Sequence, residues 1–352
     1  MGHFPPVVAY SFSQKLADAT QPVIIGEIAQ NHDGSLGMAH AYIDALADAG
    51  ADAVKFQTHI AAAESTLDDQ FRINFSYQDA TRYEYWRRME FTRAQWHDLK
   101  RHADDRGIGF LSTPFSVAAV ELLSQIGVEA WKIGSGDTTA DDMIDAILNT
   151  QKPLIISSGM STWAELDALI ARVRRTDVPM ALLQCTSQYP TPFEQVGLNT
   201  MPIMQDRYGC RVGLSDHSGS PSPSLAAIAR GFSIIEVHAT FDRRMFGPDV
   251  AASLTIEQIA TLTRFAADVA VMDAAPVDKD AVAADLAQQK TLFHRSLAPR
   301  HDLPAGHVLD ESDLTVKKPG TGIPWSDREQ ILGRRLIHSV PLNRLLRFED
   351  FA

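Results

Sequence analysis

Residues 22–57 read PVIIGEIAQNHDGSLGMAHAYIDALADAGADAVKFQ, a strand, a helix and a second strand in succession. VIIGEI (23–28) and DAVKFQ (52–57) are apolar runs too short for helices and fit buried strands. Between them Leu36, Ala39, Ile43 and Leu46 recur at steps of three, four and three, the spacing of one helical face. Ser35 stands where an N-cap is needed, and Gly50 where the helix must end. Two strands joined by a helix form a parallel crossover unit.

Outward from this unit the pattern repeats. Further strand candidates are IGFLST (108–113), EAWKIG (129–134), PLIISS (153–158), MALLQC (180–185), RVGLS (211–215) and SIIEVH (233–238). Amphipathic segments separate them, the last opening with a capping box, Thr255 to Gln258. Eight strands alternating with helices predict a closed (β/α)8 TIM barrel. An open doubly wound sheet competes, but no G-x-G-x-x-G follows Ile28. Residues 58–91 are too long for a plain connection and are expected to form an excursion over the barrel mouth.

Composition sets the outer bounds. The chain has 352 residues, a net charge of −12 and two cysteines, too few for a disulfide framework or a Cys-based zinc site. Cys185 reads as a buried thiol. No apolar run approaches the roughly 18 residues of a membrane span, and MGHFPPVVAYSFSQK lacks the layout of a signal peptide. A cytoplasmic protein with no membrane or nucleic-acid partner is expected. Residues 291–352 sum to +1 and the remainder to −13, which marks a boundary. The expected division is a barrel over 1–273, a partly helical linker over 274–290 and a small, mostly β module over 291–352 in which SDREQILG resembles a helix.

Active sites of such barrels form where strands end, and polar residues stand at these ends in almost every strand. Lys55 and Lys132 lie inside apolar strands, where an ammonium needs an anion. With the GSGD and SSGM turns they can cradle a phosphate or a phosphorylated carboxylate. Alternatively, each pairs with a buried carboxylate and only supports the barrel, or Lys132 forms a Schiff base. His217 and His238 end adjacent strands and can share a divalent ion, Mn²⁺, Co²⁺, Fe²⁺ or Zn²⁺. Two unconnected polar residues at a barrel rim are the plainer reading.

The motifs GEIAQNHDGS, DAVKFQT, FLSTPF, WKIGSGD, ISSGMST, LLQCTSQYPTP, VGLSDHS, EVHATFDRRMFGPDVAASLT and VKKPGTGI, in this order, resemble the N-acetylneuraminate (sialic acid) synthase family, which includes legionaminate and pseudaminate synthases. The resemblance implies a TIM barrel followed by an antifreeze-like (SAF) domain, in a domain-swapped homodimer. It implies condensation of phosphoenolpyruvate with an open-chain N-acylated hexosamine, giving a nine-carbon 2-keto-3-deoxy acid and phosphate. His217 and His238 match metal ligands, usually for Mn²⁺, with Co²⁺ or Mg²⁺ as alternatives. Lys55, Thr113, Lys132, Ser135, Ser157, Ser187 and Ser215 match phosphoenolpyruvate contacts. Gln57, Tyr189, Asp249 and Lys318 match sugar-side positions, and Glu27 and Asp137 are the acid/base pair, with roles not divided between them.

Several positions depart from the family pattern. Asp137 replaces a common Glu, Ser187 a usual Asn, Val250 and Ala251 a frequent His and Lys, and Lys318 an Arg whose planar fork a lysine cannot reproduce. These changes fall mainly on the sugar side, so the acceptor is expected to differ from N-acetylmannosamine. The competing readings are another phosphoenolpyruvate-dependent deoxyulosonate synthase, and an inactive barrel carrying a carbohydrate- or ice-binding module.

Overall fold

All eight expected strands are present in the computed structural model, which describes residues 12–18, 22–71 and 75–352. Most of the N-terminal stretch read above for targeting lies outside the described residues. The strands are β1 (Val23–Glu27), β2 (Ala53–Thr58), β3 (Gly109–Pro114), β4 (Trp131–Ile133), β5 (Leu154–Ser157), β6 (Met180–Cys185), β7 (Arg211–Asp216) and β8 (Ile234–Thr240). They pair in sequence order, all parallel, and β1 pairs with β8 to close the barrel. A short β9 (Leu254–Thr255) extends from β8. The chain divides into two units, Met1–Ala274 and Ala275–Ala352.

Both faces of each barrel strand are buried, which is why the strands read as apolar runs rather than alternating ones. Val23, Ile25, Ala53, Leu111, Ala130, Ile155, Ala181, Leu183 and Ile234 fill the interior. Ile24, Val54, Phe56, Phe110, Ile156 and Leu182 point outward into the layer shared with the helices. Helix Leu36–Asp48 is capped by Ser35, and Gly50 follows it at φ +78°. Thr255 and Gln258 exchange the expected capping-box bonds. A helix not foreseen, Phe12–Ala17, places Phe12 and Leu16 in the interior cluster at the N-terminal end of the strands. Gly213 has no room for a side chain, since a Cβ there would lie 2.1 Å from the Ile234 carbonyl oxygen.

The excursion carries two short helices, Ala61–Glu64 and Arg82–Met89, before Thr92 caps helix Arg93–Asp105. No helix among the described residues is long and apolar enough to cross a membrane.

In the second unit, the expected linker forms helices Lys279–Asp285 and Ala287–Phe293. β10 (Ser296–Pro299) and β11 (Leu314–Lys317) pair antiparallel. Leu297, Leu303, Leu314, Ile331, Leu336 and Val340 belong to its own core. The helix-like SDREQILG is only a 3₁₀ stretch, Trp325–Gln330. It follows Pro324 and stops before Gly333 at φ +75°, too short a span for an α-helix to propagate.

Candidate active site

The interior positions of β1 alternate through Val23 and Ile25 to Glu27, and β2 runs from Ala53 through Lys55 to Gln57. The same parity delivers Thr113, Lys132, Ser157, Cys185, Ser215, Glu236 and His238 from the other strands. The polar members of this set line a cavity of about 490 Å³. Strand register sets Glu27 beside Lys55 on one side and beside His238 on the other. Loops after the strands add Ser135, Asp137, Ser187, Tyr189 and His217.

The two lysines are fully buried and already compensated. Lys55 Nζ donates to Glu27 Oε1 at 2.6 Å and to Thr113 Oγ1 at 3.1 Å. Lys132 Nζ donates to Ser157 Oγ at 2.7 Å and to the Ile133 carbonyl at 3.0 Å. Glu236 Oε1 lies 3.8 Å from Lys55 and 3.7 Å from Lys132 and accepts from Ser215 Oγ at 3.2 Å, while its Oε2 has no hydrogen-bond partner among the described residues. Burial opposes the Lys55 charge, but Glu236 and Glu27 outweigh it and raise the ammonium above its usual value. For Lys132 burial, with Lys55 nearby, outweighs Glu236 and lowers it.

The two candidate carboxylates separate sharply. Burial would raise Glu27, but Lys55, His238 and Gln57 overcome it and hold the group well below the usual carboxylate range. Asp137 makes no side-chain hydrogen bond among the described residues, and burial pushes it up to about 6 against the pull of Lys132. Glu27 therefore stays ionised at ordinary pH, whereas Asp137 can hold and release a proton near pH 6.

His217 and His238 meet as expected, with ring centres 5.0 Å apart. His217 Nδ1 contacts the Thr186 carbonyl at 3.1 Å, which turns Nε2 toward the cavity, 3.0 Å from the Tyr189 hydroxyl. Such a carbonyl contact is the usual device for aiming a ligating nitrogen. His238 Nε2 lies 3.4 Å from Glu27 Oε2, and its Nδ1 is buried without a hydrogen-bond partner among the described residues. Burial, with His217 and Lys55, pulls His238 down toward the neutral form that ligates metals. For His217 burial is outweighed by Cys185, 3.8 Å from Nδ1, and by Thr186, so the ring is pushed up to about 9 and a metal must displace its proton. Among the described residues no three His, Cys, Asp or Glu side chains converge as a metal cluster. The donor set fits a divalent ion held by two imidazoles, with water or ligand oxygens completing it.

Two of the expected residues, Asp249 and Lys318, are not among those lining this cavity, although the Asp249 charge acts on His238 and Tyr189. Asp249 is not among the cavity-lining residues, and its carbonyl takes the Ser253 hydroxyl at 2.8 Å. Lys318 belongs to the second unit, where its ammonium stands 4.8 Å from the centre of the Phe293 ring. Conversely, the excursion supplies wall residues that sequence reasoning did not single out: His59, Glu64, Asp69, Arg82 and Trp86. Arg82 pairs with Asp69 at 3.1 Å and lies over Trp86. The available signal was three charged residues and a tryptophan in a connection too long to be passive.

A NeuB family model matches residues 42–275, and a SAF domain model matches residues 294–352. The N,N'-diacetyllegionaminic acid synthase of Campylobacter jejuni is 31% identical over 92% of this chain and 98% of its own length. The enzyme of the same name from Legionella pneumophila is 32% identical over 93% of each chain. The N-acetylneuraminate-9-phosphate synthase of Homo sapiens is 30% identical, over 90% of this chain and 89% of its own. Among solved structures, the N-acetylneuraminic acid synthetase of Leptospira borgpetersenii superposes with a TM-score of 0.67 at 28% identity, covering 78% of this chain and 93% of that one. A barrel with this cavity, these matches and a C-terminal module of this kind make the chain a member of the NeuB family of acid synthases, with a SAF domain at its C-terminus.

Proposed function

We propose that this enzyme condenses phosphoenolpyruvate with the open-chain form of an N-acylated hexosamine, giving a nine-carbon 2-keto-3-deoxy acid and phosphate. The observation that carries the reading is the meeting of two buried lysines, two imidazoles and an unpaired, raised carboxyl group in one cavity of a NeuB-family barrel. Lys55, Thr113, Lys132, Ser157 and Ser215 line the part fit for the anion. Glu27 and Glu236 already match the lysines, so a trianion brings charge that the protein alone does not cancel. A divalent ion on His217 and His238, Mn²⁺ in this reading with Co²⁺ or Mg²⁺ as alternatives, would offset it and supply Lewis-acid polarisation of the acceptor aldehyde.

The chain's own residues account for the proton movements. C3 of phosphoenolpyruvate attacks the aldehyde carbon, and the carbonyl oxygen takes the Asp137 proton. Water then adds to the C2 cation, Glu27 accepts the proton released, and C2–O cleavage expels phosphate. Lys132 needs no Schiff base on this route, since phosphoenolpyruvate supplies its own nucleophilic C3; its Nζ donates to Ser157 and the Ile133 carbonyl.

Each lysine and arginine lining the cavity, among the described residues, has a carboxylate within 4 Å. Apart from Lys55 and Lys132, assigned here to phosphoenolpyruvate, the cation lining the wall among the described residues is Arg82, paired with Asp69, which favours an unphosphorylated acceptor. Phe115 and Met160 offer apolar surface to deoxy carbons. The reading includes a cytoplasmic homodimer with exchanged C-terminal modules. Its support is the run of exposed apolar side chains Val271, Met272, Val277, Val282, Leu286, Leu292 and Phe293.

The deciding experiment offers phosphoenolpyruvate and Mn²⁺ with N-acetylmannosamine, its 6-phosphate and diacetamido-trideoxyhexoses, following phosphate release and product mass. Highest kcat/KM is expected with a diacetamido-trideoxyhexose. No release with any sugar defeats the proposal, and preference for the 6-phosphate defeats its acceptor half. A second expectation concerns Gly159, where a Cβ would lie 2.5 Å from Ser187 Oγ, 2.8 Å from Ser135 Oγ and 2.9 Å from Cys185 Sγ. Gly159→Ala should displace these hydroxyls and raise KM for phosphoenolpyruvate about 10- to 100-fold, the worth of one hydrogen bond to a charged group.

A further inference from the structure

Gln57 is an amide whose orientation is set from both ends. Its Nε2 donates to Glu27 Oε1 at 2.9 Å. Its Oε1 faces Gln30 Nε2 at 3.0 Å and His59 Nε2 at 3.3 Å. Rotated by half a turn, the amide would set oxygen against the Glu27 carboxylate and nitrogen against a donor. His59 is itself fixed at its other edge and on both faces. Nδ1 lies 2.6 Å from Glu64 Oε1, and Glu64 Oε2 accepts the Ile60 N–H at 3.2 Å. The ring is stacked between Trp86, at 3.9 Å and 12°, and Phe115, at 4.4 Å and 8°. It is buried at 4% exposure, and no step described above uses it.

We propose that His59 is a positioning residue for the condensation: stacked between Trp86 and Phe115 and donating from Nδ1 to Glu64 and from Nε2 to Gln57 Oε1, it locks the Gln57 amide so that the amide Nε2 restrains the Glu27 carboxylate. The proposal rests on the synthase reading and adds to it a chain of contacts, Glu64 to His59 to Gln57 to Glu27, that begins in the excursion. Lys55 and His238 hold Glu27 from other directions. Without His59, Glu27 remains charged but is less well aimed, so the loss falls on turnover rather than on anion binding, because His59 hydrogen-bonds to none of Lys55, Thr113, Lys132, Ser157 and Ser215 and Thr113 still holds Lys55.

The test uses the full chain with phosphoenolpyruvate, Mn²⁺ and the best acceptor from the panel. His59→Phe keeps the stack and removes both nitrogens. Its kcat is expected to fall about 10- to 100-fold, the usual cost of losing an outer hydrogen-bond partner, with KM for phosphoenolpyruvate within about twofold of the unaltered enzyme. His59→Ala opens a slot between two rings. Added imidazole should restore its turnover, and thiazole, of similar shape but without an N–H, should not. Unaltered kcat in His59→Phe, a loss confined to KM, or rescue by both compounds or by neither overturns the proposal. Failure of the synthase reading shows separately, as absent phosphate release from the unaltered enzyme.

Discussion

Asp137→Asn is expected to lower kcat by about 10²- to 10⁴-fold, the range for removing a general acid, while phosphoenolpyruvate still binds. Among the described residues Asp137 is the one cavity carboxyl that burial raises to about 6. As proton donor it must be protonated, so kcat/KM of the unaltered enzyme should fall as pH rises through about 6. The residual activity of Asp137→Asn should lack that limb. A fall below pH 6 instead would assign Asp137 as a base. The same shift has a stability sign. Between the ordinary carboxylate value and about 6 the folded state holds a proton that the unfolded chain has lost, so the native fold loses stability as pH rises across that interval. Asp137→Asn should flatten this dependence, which thermal unfolding at several pH values would measure.

The second large effect is structural. Glu236→Gln removes the only carboxylate within 4 Å of Lys132 among the described residues, and one of two near Lys55. Breaking a buried ion pair from one side typically costs about 3–5 kcal/mol, which denaturant unfolding would register as a clear drop in midpoint. The partner change Lys132→Met should destabilise too, but the double variant should recover much of the loss, because neither charge is then stranded. Turnover should be absent in the double variant despite its stability. Equal stability of Glu236→Gln and the unaltered protein would show that Glu236 does not compensate the lysines.

Much of this site was legible because a parallel barrel strand has only two faces. Once VIIGEI and DAVKFQ are read as strands with Val23, Ile25 and Ala53 inward, Glu27, Lys55 and Gln57 must follow them inward by parity alone. The histidine pair was legible for a related reason, since His217 and His238 end neighbouring strands. The pairing of Lys132 on β4 with Glu236 on β8 was not, because neither periodicity nor spacing tells which inward side chains face each other across the interior. The clamp on His59 was hidden more deeply. His59, Glu64, Trp86 and Phe115 meet through an excursion without a repeat, so no local pattern announces the contact. The motif match brought in Asp249, yet the cavity wall does not include it.

The helix Phe12–Ala17 carries a kinetic consequence. With Phe12 and Leu16 packed among the interior side chains at the N-terminal end of the strands, the cavity among the described residues lies at the opposite end, where the excursion supplies part of its wall. On the proposed reading the anion bound at the deeply buried Lys55 and Lys132 lies below its co-substrate, so initial-rate and product-inhibition kinetics are expected to show the anion adding first.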